Sequence, residues 1–282
     1  MKSEISKQTK FVSNQKLLVV EIAGNMYGFD LSNVKEIIRM PEITFIPSAP
    51  DFIRGMIRLR DAVLPLIDIR KKLGLKSTDD ENKEFLEILT AREQDHINWV
   101  NELRRCVLEK DDFKLTTDPH ACKFGKWYDT FQSSNMIVMA SLEKFDLPHK
   151  KIHSIGKDAI MLMNNHKYEE ALDLVNKTEQ KELKELINLF AELKTLIVKS
   201  KREFAVIFDL NGVFTSVPVD KIEQIIPIDT SNIEENLSFA IGNFIAGIYK
   251  HTSGIYTILN PEALTHKEAV LIGDILQTEI VA

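Results

Sequence analysis

The sequence has few cysteines, no long uncharged apolar run and no excess of positive charge. Its 282 residues include two cysteines, Cys106 and Cys122, which are too few for a disulfide framework and favour a reducing compartment. The densest uncharged apolar run, residues 136–142, is far too short to cross a bilayer, and the first ten residues contain no apolar signal core. We therefore expect a cytoplasmic protein without direct membrane insertion.

Charge and missing motifs exclude several classes of function. The net charge of −6 disfavours nucleic acid as a partner, because phosphate binding requires a basic face. The sequence contains no glycine-rich phosphate loop, no Gly-x-Ser-x-Gly elbow and no His-Glu-x-x-His pair. These absences predict a protein that is not an enzyme.

The hydrophobic pattern changes character twice along the chain. Residues 16–69 and the region after residue 202 contain short runs rich in Val, Ile and Leu, separated by turn residues, which is typical of a small β-barrel or β-sandwich. Between about residues 84 and 200 the apolar residues recur at helical spacing in four successive stripes. Four amphipathic helices with short connections predict an antiparallel four-helix bundle.

The two strand-rich regions resemble each other. Residues 34–38, 52–57 and 63–67 match residues 222–226, 244–249 and 255–259 in the same order, and Gly24 matches Gly212. Three matches in one order indicate an internal duplication of a β unit. The predicted class is therefore α+β, with a bundle interrupting two β-rich halves.

The domain boundaries follow from these changes. We predict a first host half at residues 1–75, an inserted bundle at 76–202 and a second host half at 203–282. An up-down-up-down bundle begins and ends at the same end, so it can be spliced into a surface loop of the host.

Residues 52–69 carry a more specific signal. They read as Arg54-Gly55, two apolar residues, Arg58-Leu59-Arg60-Asp61 and an apolar strand that ends in Pro-Leu-Ile-Asp-Ile. This segment resembles the signature of the CheW-like coupling domain, with Arg58 in place of the usual Asn and Asp61 in place of the usual Gly. The resemblance covers both β halves and implies two five-stranded, SH3-like barrels.

The same resemblance implies a function. CheW-like domains join the cytoplasmic tips of chemoreceptors to the histidine kinase CheA, so it implies a scaffold in chemotaxis signal transduction that is recruited to bacterial receptor arrays. Arg60 aligns with the arginine of the family motif and is our candidate partner contact. The alternative is that Arg60 only stabilises a turn.

The helical region contains a candidate metal site. His149 and His153 are four residues apart on a predicted helix, so both imidazoles lie on one face, and His96 lies on the apolar stripe of the first helix. Asp118 and Pro119 predict a helix start that places Cys122 in the first turn, where backbone N–H groups favour a thiolate. One thiolate and three imidazoles are a tetrahedral donor set that suits Zn²⁺.

This region resembles the chemoreceptor zinc-binding (CZB) family. The resemblance rests on Asp95-His96-x-x-Trp99, on residues 122–128 and on Pro148-His149-x-x-x-His153. It implies the zinc ligands His96, Cys122, His149 and His153, with Cys122 as a redox-sensitive thiolate, and a response to zinc or to oxidants such as hypochlorous acid.

Several alternatives stay open at this point. His120 is an alternative ligand, and a homodimer through the bundle is a further alternative. The zinc could be sensory or purely structural, or the chain could be a zinc buffer without coupling activity. The charged run between residues 179 and 185 predicts a solvated helix face.

Overall fold

The computed structural model describes residues 15–133, 135–199, 203–235 and 244–265. The chain forms two compact units. One contains residues 1–77 and 202–282, and the other contains residues 78–201. The predicted fold class, β-rich halves around a helical insertion, is confirmed.

The β unit contains two series of six strands, with a short helix, α1 (Ile69–Lys72), after the first series. The short apolar runs form these strands because β-branched residues fit a pleated, buried surface. The first series is β1 (Lys16–Ile22), β2 (Asn25–Asp30), β3 (Val34–Arg39), β4 (Ile43–Thr44), β5 (Ile53–Leu59) and β6 (Ala62–Ile67). The second series is β7 (Phe204–Leu210), β8 (Val213–Val219), β9 (Lys221–Pro227), β10 (Ile233–Glu234), β11 (Ile245–His251) and β12 (Gly254–Leu259).

The two series exchange their first two strands. One sheet has the order β10-β11-β12-β2-β1-β9 and the other has the order β3-β7-β8-β6-β5-β4. Each strand of the first series therefore has its counterpart at the same position in the other sheet. Each sheet has six strands rather than the expected five, because the two-residue strands β4 and β10 pair at one edge.

Strand β1 shows why the exchange is stable. Its side chains alternate between two hydrophobic clusters, with Leu18 and Val20 in the cluster shared by both sheets and Leu17 and Val19 in a cluster confined to one sheet. A strand buried on both faces reads as a continuous apolar run, which explains Leu17-Leu18-Val19-Val20.

Two buried ion pairs connect the first and second series. Arg54 on β5 contacts Glu203, directly before β7, at 2.7 Å, and the side chains are 7% and 5% exposed. Arg70 on α1 contacts Asp220 at 2.6 Å, and the same carboxylate accepts a hydrogen bond from the Ala23 N–H in the β1–β2 turn. Both pairs therefore join segments that lie far apart in the sequence.

The helical unit contains three long helical segments and two short helices. Lys194 pairs with Glu93 and Arg104 pairs with Glu179, so the first and last long segments run antiparallel. The helices are α2 (Thr78–Glu109), α3 (Lys123–Tyr128), α4 (Met136–Glu143), α5 (Asp146–Asn164), α6 (Tyr168–Thr178) and α7 (Lys184–Lys199), with a π turn, Glu179–Leu183, joining α6 to α7.

Two local expectations differ from the structure. The second predicted helix is divided into the short helices α3 and α4, because residues 129–133 contain turn and irregular backbone. The charged run between residues 179 and 185 is not fully solvated, since Glu182 is buried. Within the described part of the chain, no helix is long and apolar enough to cross a membrane.

We predict that Glu203→Ala destabilises the β unit by about 3 kcal/mol, because it leaves the buried Arg54 guanidinium without this carboxylate. Both tryptophans lie in the helical unit, so the measurement is hydrogen exchange of β-unit peptides over a urea series. The control is Glu234→Ala, which removes an exposed pair with Lys250 and should change the free energy of unfolding by less than about 1 kcal/mol. Equal effects of the two variants would contradict the prediction.

Candidate metal centre

Four predicted side chains converge inside the helical unit. One ligand atom from each of His96, Cys122, His149 and His153 lies within 4.8 Å of all the others. The Cys122 Sγ atom is 3.2 Å from His149 Nε2. Ligand atoms around a tetrahedral Zn²⁺ are about 3.3–3.6 Å apart, so small side-chain adjustments suffice to bind one ion.

His96 is held in a ligating tautomer by its own helix. Its Nδ1 atom is 2.7 Å from the Arg92 carbonyl oxygen, and a carbonyl can only accept a hydrogen bond. The ring therefore carries its proton on Nδ1 and presents a lone pair on Nε2. That Nε2 atom is buried and has no hydrogen-bond partner among the described residues.

Helix α5 contributes the two histidines of the His149-x-x-x-His153 motif. Their ring centroids are 4.9 Å apart, as expected for residues one turn apart on a helix. Both ring nitrogens of His153 are buried. The Trp99 ring packs against His153 and fits the space above Gly156, where a Cβ atom would lie 2.3 Å from the indole.

Cys122 is the N-cap residue of α3, and its sulfur accepts a hydrogen bond from the Gly125 N–H at 3.1 Å. The helix starts later than predicted. Asp118 instead caps a turn by accepting a hydrogen bond from the His120 N–H, and α3 begins at Lys123. Gly125 is required for this geometry, because a Cβ atom there would lie 1.8 Å from the Pro119 carbonyl oxygen.

The protonation states fit a cation site. Burial and the neighbouring histidines lower the pKa of His149 to about 3, and burial and His96 lower the pKa of His153 to about 4. Burial also lowers the pKa of His96. All three imidazoles are therefore neutral near pH 7, with lone pairs available for a metal.

The protonation state of Cys122 differs from the sequence prediction, in which the helix start alone favours a thiolate. Burial raises the pKa of Cys122, although the N–H groups of Gly125 and Phe124 lower it. Desolvation therefore has a larger effect on the pKa of Cys122 than the backbone N–H groups of the helix start. A bound divalent cation supplies the charge that deprotonates a coordinating thiol, so this donor set fits a metal.

A line of charged side chains lies beside the site. The Asp95 carboxylate pairs with Arg92 at 3.1 Å and with Lys123 at 3.2 Å. Asp95 directly precedes His96, and Lys123 directly follows Cys122, so this pair joins α2 to α3 next to two of the candidate ligands. The sequence motif included Asp95, but the sequence showed no sign of the pairing with Lys123.

The remaining candidate residues lie apart from this group. His120 is exposed, and its Nδ1 atom is 2.9 Å from Asp129 Oδ2, so it does not join the group. Cys106 is buried near Glu102 on α2. Arg60 belongs to the other unit, in the turn between β5 and β6, with a φ of 54° and a side chain that is 80% exposed.

Comparisons with known proteins match the chain to two domain families. The chain matches the CheW-like domain family over residues 16–106 and 181–269. It matches the chemoreceptor zinc-binding domain family over residues 96–160, a range that contains His96, Cys122, His149 and His153.

The sequence identity between this chain and individual relatives is low. Chemotaxis protein CheW of Klebsiella aerogenes is 34% identical over 79 residues, which are 28% of this chain and 48% of that protein. CheW of Bacillus subtilis is 26% identical over 126 residues, which are 45% of this chain and 78% of that protein. The chain spans less than half the length of the Klebsiella aerogenes relative. The crystal structure of the scaffolding protein TtCheW from Thermoanaerobacter tengcongensis aligns with 92% of this chain and 91% of that chain, at 16% identity and a TM-score of 0.43.

The two parts of the CheW-like match together cover more than half of the chain. The two parts of the match extend into the first and last helical segments of the helical unit. The boundaries between the two compact units, in contrast, lie at residues 77–78 and 201–202. The chain therefore belongs to the CheW-like domain family, with a chemoreceptor zinc-binding domain inserted between the two parts of its match.

Proposed function

We propose that this protein is a non-enzymatic chemotaxis adaptor that couples chemoreceptors to the histidine kinase CheA and senses zinc or oxidants through its inserted domain. The observation that carries the proposal is the group formed by Cys122 and three neutral, buried imidazoles inside a CheW-like host. The CheW relatives support the coupling role, and the CZB match supports the metal.

Zinc is the metal that the donors favour. Three imidazoles and one thiolate match the nitrogen and sulfur ligands of tetrahedral zinc sites and differ from the oxygen ligands of Mg²⁺ or Ca²⁺. Residues His96, Cys122, His149 and His153 would fill all four positions. A closed four-ligand site has no open position for substrate, which supports a structural or sensory role rather than catalysis.

Cys122 is the proposed sensing residue. It is the one member of the group that is not fully buried, so an oxidant in solution can reach its sulfur more readily than the imidazoles. Hypochlorous acid would convert the thiolate to sulfenic acid and release chloride. Loss of the sulfur ligand would then free α3 from the histidines on α2 and α5.

The connections of the insert offer a route for the signal. Lys194 on α7 contacts Glu93 on α2 at 2.6 Å, so the helices that enter and leave the insert lie side by side. A shift between α2 and α7 would act on the chain segments that lead to α1 and β7. We propose that the segment 76–202 acts in this way between host halves 1–75 and 203–282.

We expect one zinc ion per chain in the purified protein. His149→Ala should weaken zinc binding by more than about 100-fold, because it removes a ligand from the centre of the group. His120→Ala is the matched control and should bind zinc like the wild type, because His120 pairs with Asp129 instead. The measurement is metal analysis followed by competition with a chromophoric chelator.

Gly125→Ala tests the geometry with all four ligands in place. The added methyl group forces the Pro119 carbonyl away and disturbs the Cys122 cap, so we expect zinc affinity to fall about 10-fold to 100-fold. Unchanged affinity in Gly125→Ala and His149→Ala would refute the proposed site.

Arg60 is the proposed partner contact. Its exposed guanidinium lies 3.4 Å from Glu36, an exposed pair that adds little to stability. We expect Arg60→Ala to weaken binding to CheA or receptor tips by about 10-fold while thermal unfolding is unchanged. Glu36→Gln removes the same pair and should bind normally. Equal binding losses in both variants would favour the alternative that Arg60 only stabilises the turn.

We expect a chelator or mild oxidant to change kinase activity in reconstituted receptor arrays containing the wild-type protein. Cys122→Ala should abolish the oxidant response, because it removes the oxidisable ligand. Cys106→Ala should retain the response, since this thiol lies outside the group. If wild-type arrays show no zinc-dependent or oxidant-dependent change, the zinc is purely structural. Failure of the wild type to bind kinase or receptor would instead point to a zinc buffer.

A further inference from the structure

The last long helical segment contains a local irregularity although it provides no ligand to the described group. Residues Glu179–Leu183 form a π turn between α6 and α7. A π turn accommodates one residue more than the α-helix around it and commonly occurs at functional sites. The position of the extra residue can be read from the buried side chains.

The buried positions follow a regular pattern on both sides of the turn. Intervals of four and three residues recur before it and after it, but Thr178 and Leu183 are five residues apart. Removing one residue between them would restore an unbroken spacing of threes and fours, the pattern of a continuous α-helix in a bundle. Besides Glu182 in the π turn itself, the buried positions of α6, the π turn and α7 are Ala171, Val175, Thr178, Leu183, Leu186, Phe190, Leu193 and Ile197.

The extra residue brings a carboxylate into the bundle. Glu182 is buried within the π turn, and its side chain, 8% exposed, contacts the Lys151 ammonium group at 2.8 Å. Lys151 lies on α5 midway between His149 and His153. The ion pair therefore connects the π turn to the turn of α5 that carries two of the four candidate ligands.

The first residue of the same turn contacts the other histidine-bearing helix. Glu179 pairs with Arg104 on α2, two turns after His96 along that helix. Two carboxylates of one π turn thus bind cations on the two helices that carry all three histidines. A regular α-helix would point two residues three apart in more similar directions, because it has fewer residues per turn.

The placement of Glu182 opposes the general preference for apolar residues inside a helical bundle. A buried carboxylate has a desolvation penalty, and an apolar residue in an unbroken α-helix usually packs at least as favourably. An element that opposes local preference without an evident gain in packing indicates a function at that site.

We propose that the π turn braces α2 against α5 at the separation that metal binding requires, and that Glu179 and Glu182 are positioning residues for the histidines. This inference rests on the proposed metal site. Zinc ligands tolerate only small errors in distance, so the brace acts on metal affinity rather than on the fold.

Deletion of Glu182 is the most direct test, since it removes the carboxylate and restores the regular spacing in one change. We expect the metal-free insert to melt at the wild-type temperature or above it, while the dissociation constant for zinc rises about tenfold. Both are measured on the full-length chain, by thermal unfolding followed by tryptophan fluorescence and by chelator competition.

Point variants separate the charge from the backbone. Glu182→Gln and Lys151→Met should each weaken zinc binding several-fold, and the exchanged pair Glu182→Lys with Lys151→Glu should restore it. Glu185→Gln, which changes an exposed carboxylate one helical turn away, should bind zinc normally.

Two outcomes would overturn the brace. One is wild-type zinc affinity in the deletion variant, and the other is a loss of affinity that only follows a loss of stability of the metal-free insert. A wild-type protein that binds no zinc would instead refute the metal site itself.

Discussion

Burying an imidazole nitrogen without a hydrogen-bond partner costs free energy, and among the described residues the helical unit does this at Nε2 of His96. A metal ion can recover that free energy, because it accepts the lone pairs that the described residues leave unpaired. The same burial keeps the imidazoles neutral and the Cys122 thiol protonated until a cation is bound. Helices α2, α3 and α5 each present a donor side chain at this one point.

The surroundings of the site limit the movement of the ligands. The Arg92 carbonyl sets the tautomer of His96, Gly125 allows the cap at Cys122, and Trp99 packs over Gly156 against His153. Each of these contacts acts on a different helix. The hydrophobic core of the unit surrounds these contacts and includes Phe124 on α3 and Phe190 on α7.

The host unit has a different constraint. Strands β1 and β2 complete the sheet of the second series, and β7 and β8 complete the sheet of the first. Neither series alone can therefore pair all the backbone N–H and C=O groups of its strands. The insert interrupts the chain between the two series, before β7. Within the insert, the contact between Glu93 and Lys194 places the entering helix α2 beside the leaving helix α7.

The sequence by itself determined the repeated order of strands, the helical insert, the family and the four residues that converge, because these depend on periodicity and on local motifs. Tertiary structure decided the exchange of strands between sheets, since the apolar pattern of each strand fits its own sheet and the other sheet equally well. It also decided the late start of α3, which depends on Gly125 packing against the Pro119 carbonyl. The burial of Glu182 had no local signal, because a charged residue in a polar run becomes buried only when a distant cation such as Lys151 lies beside it.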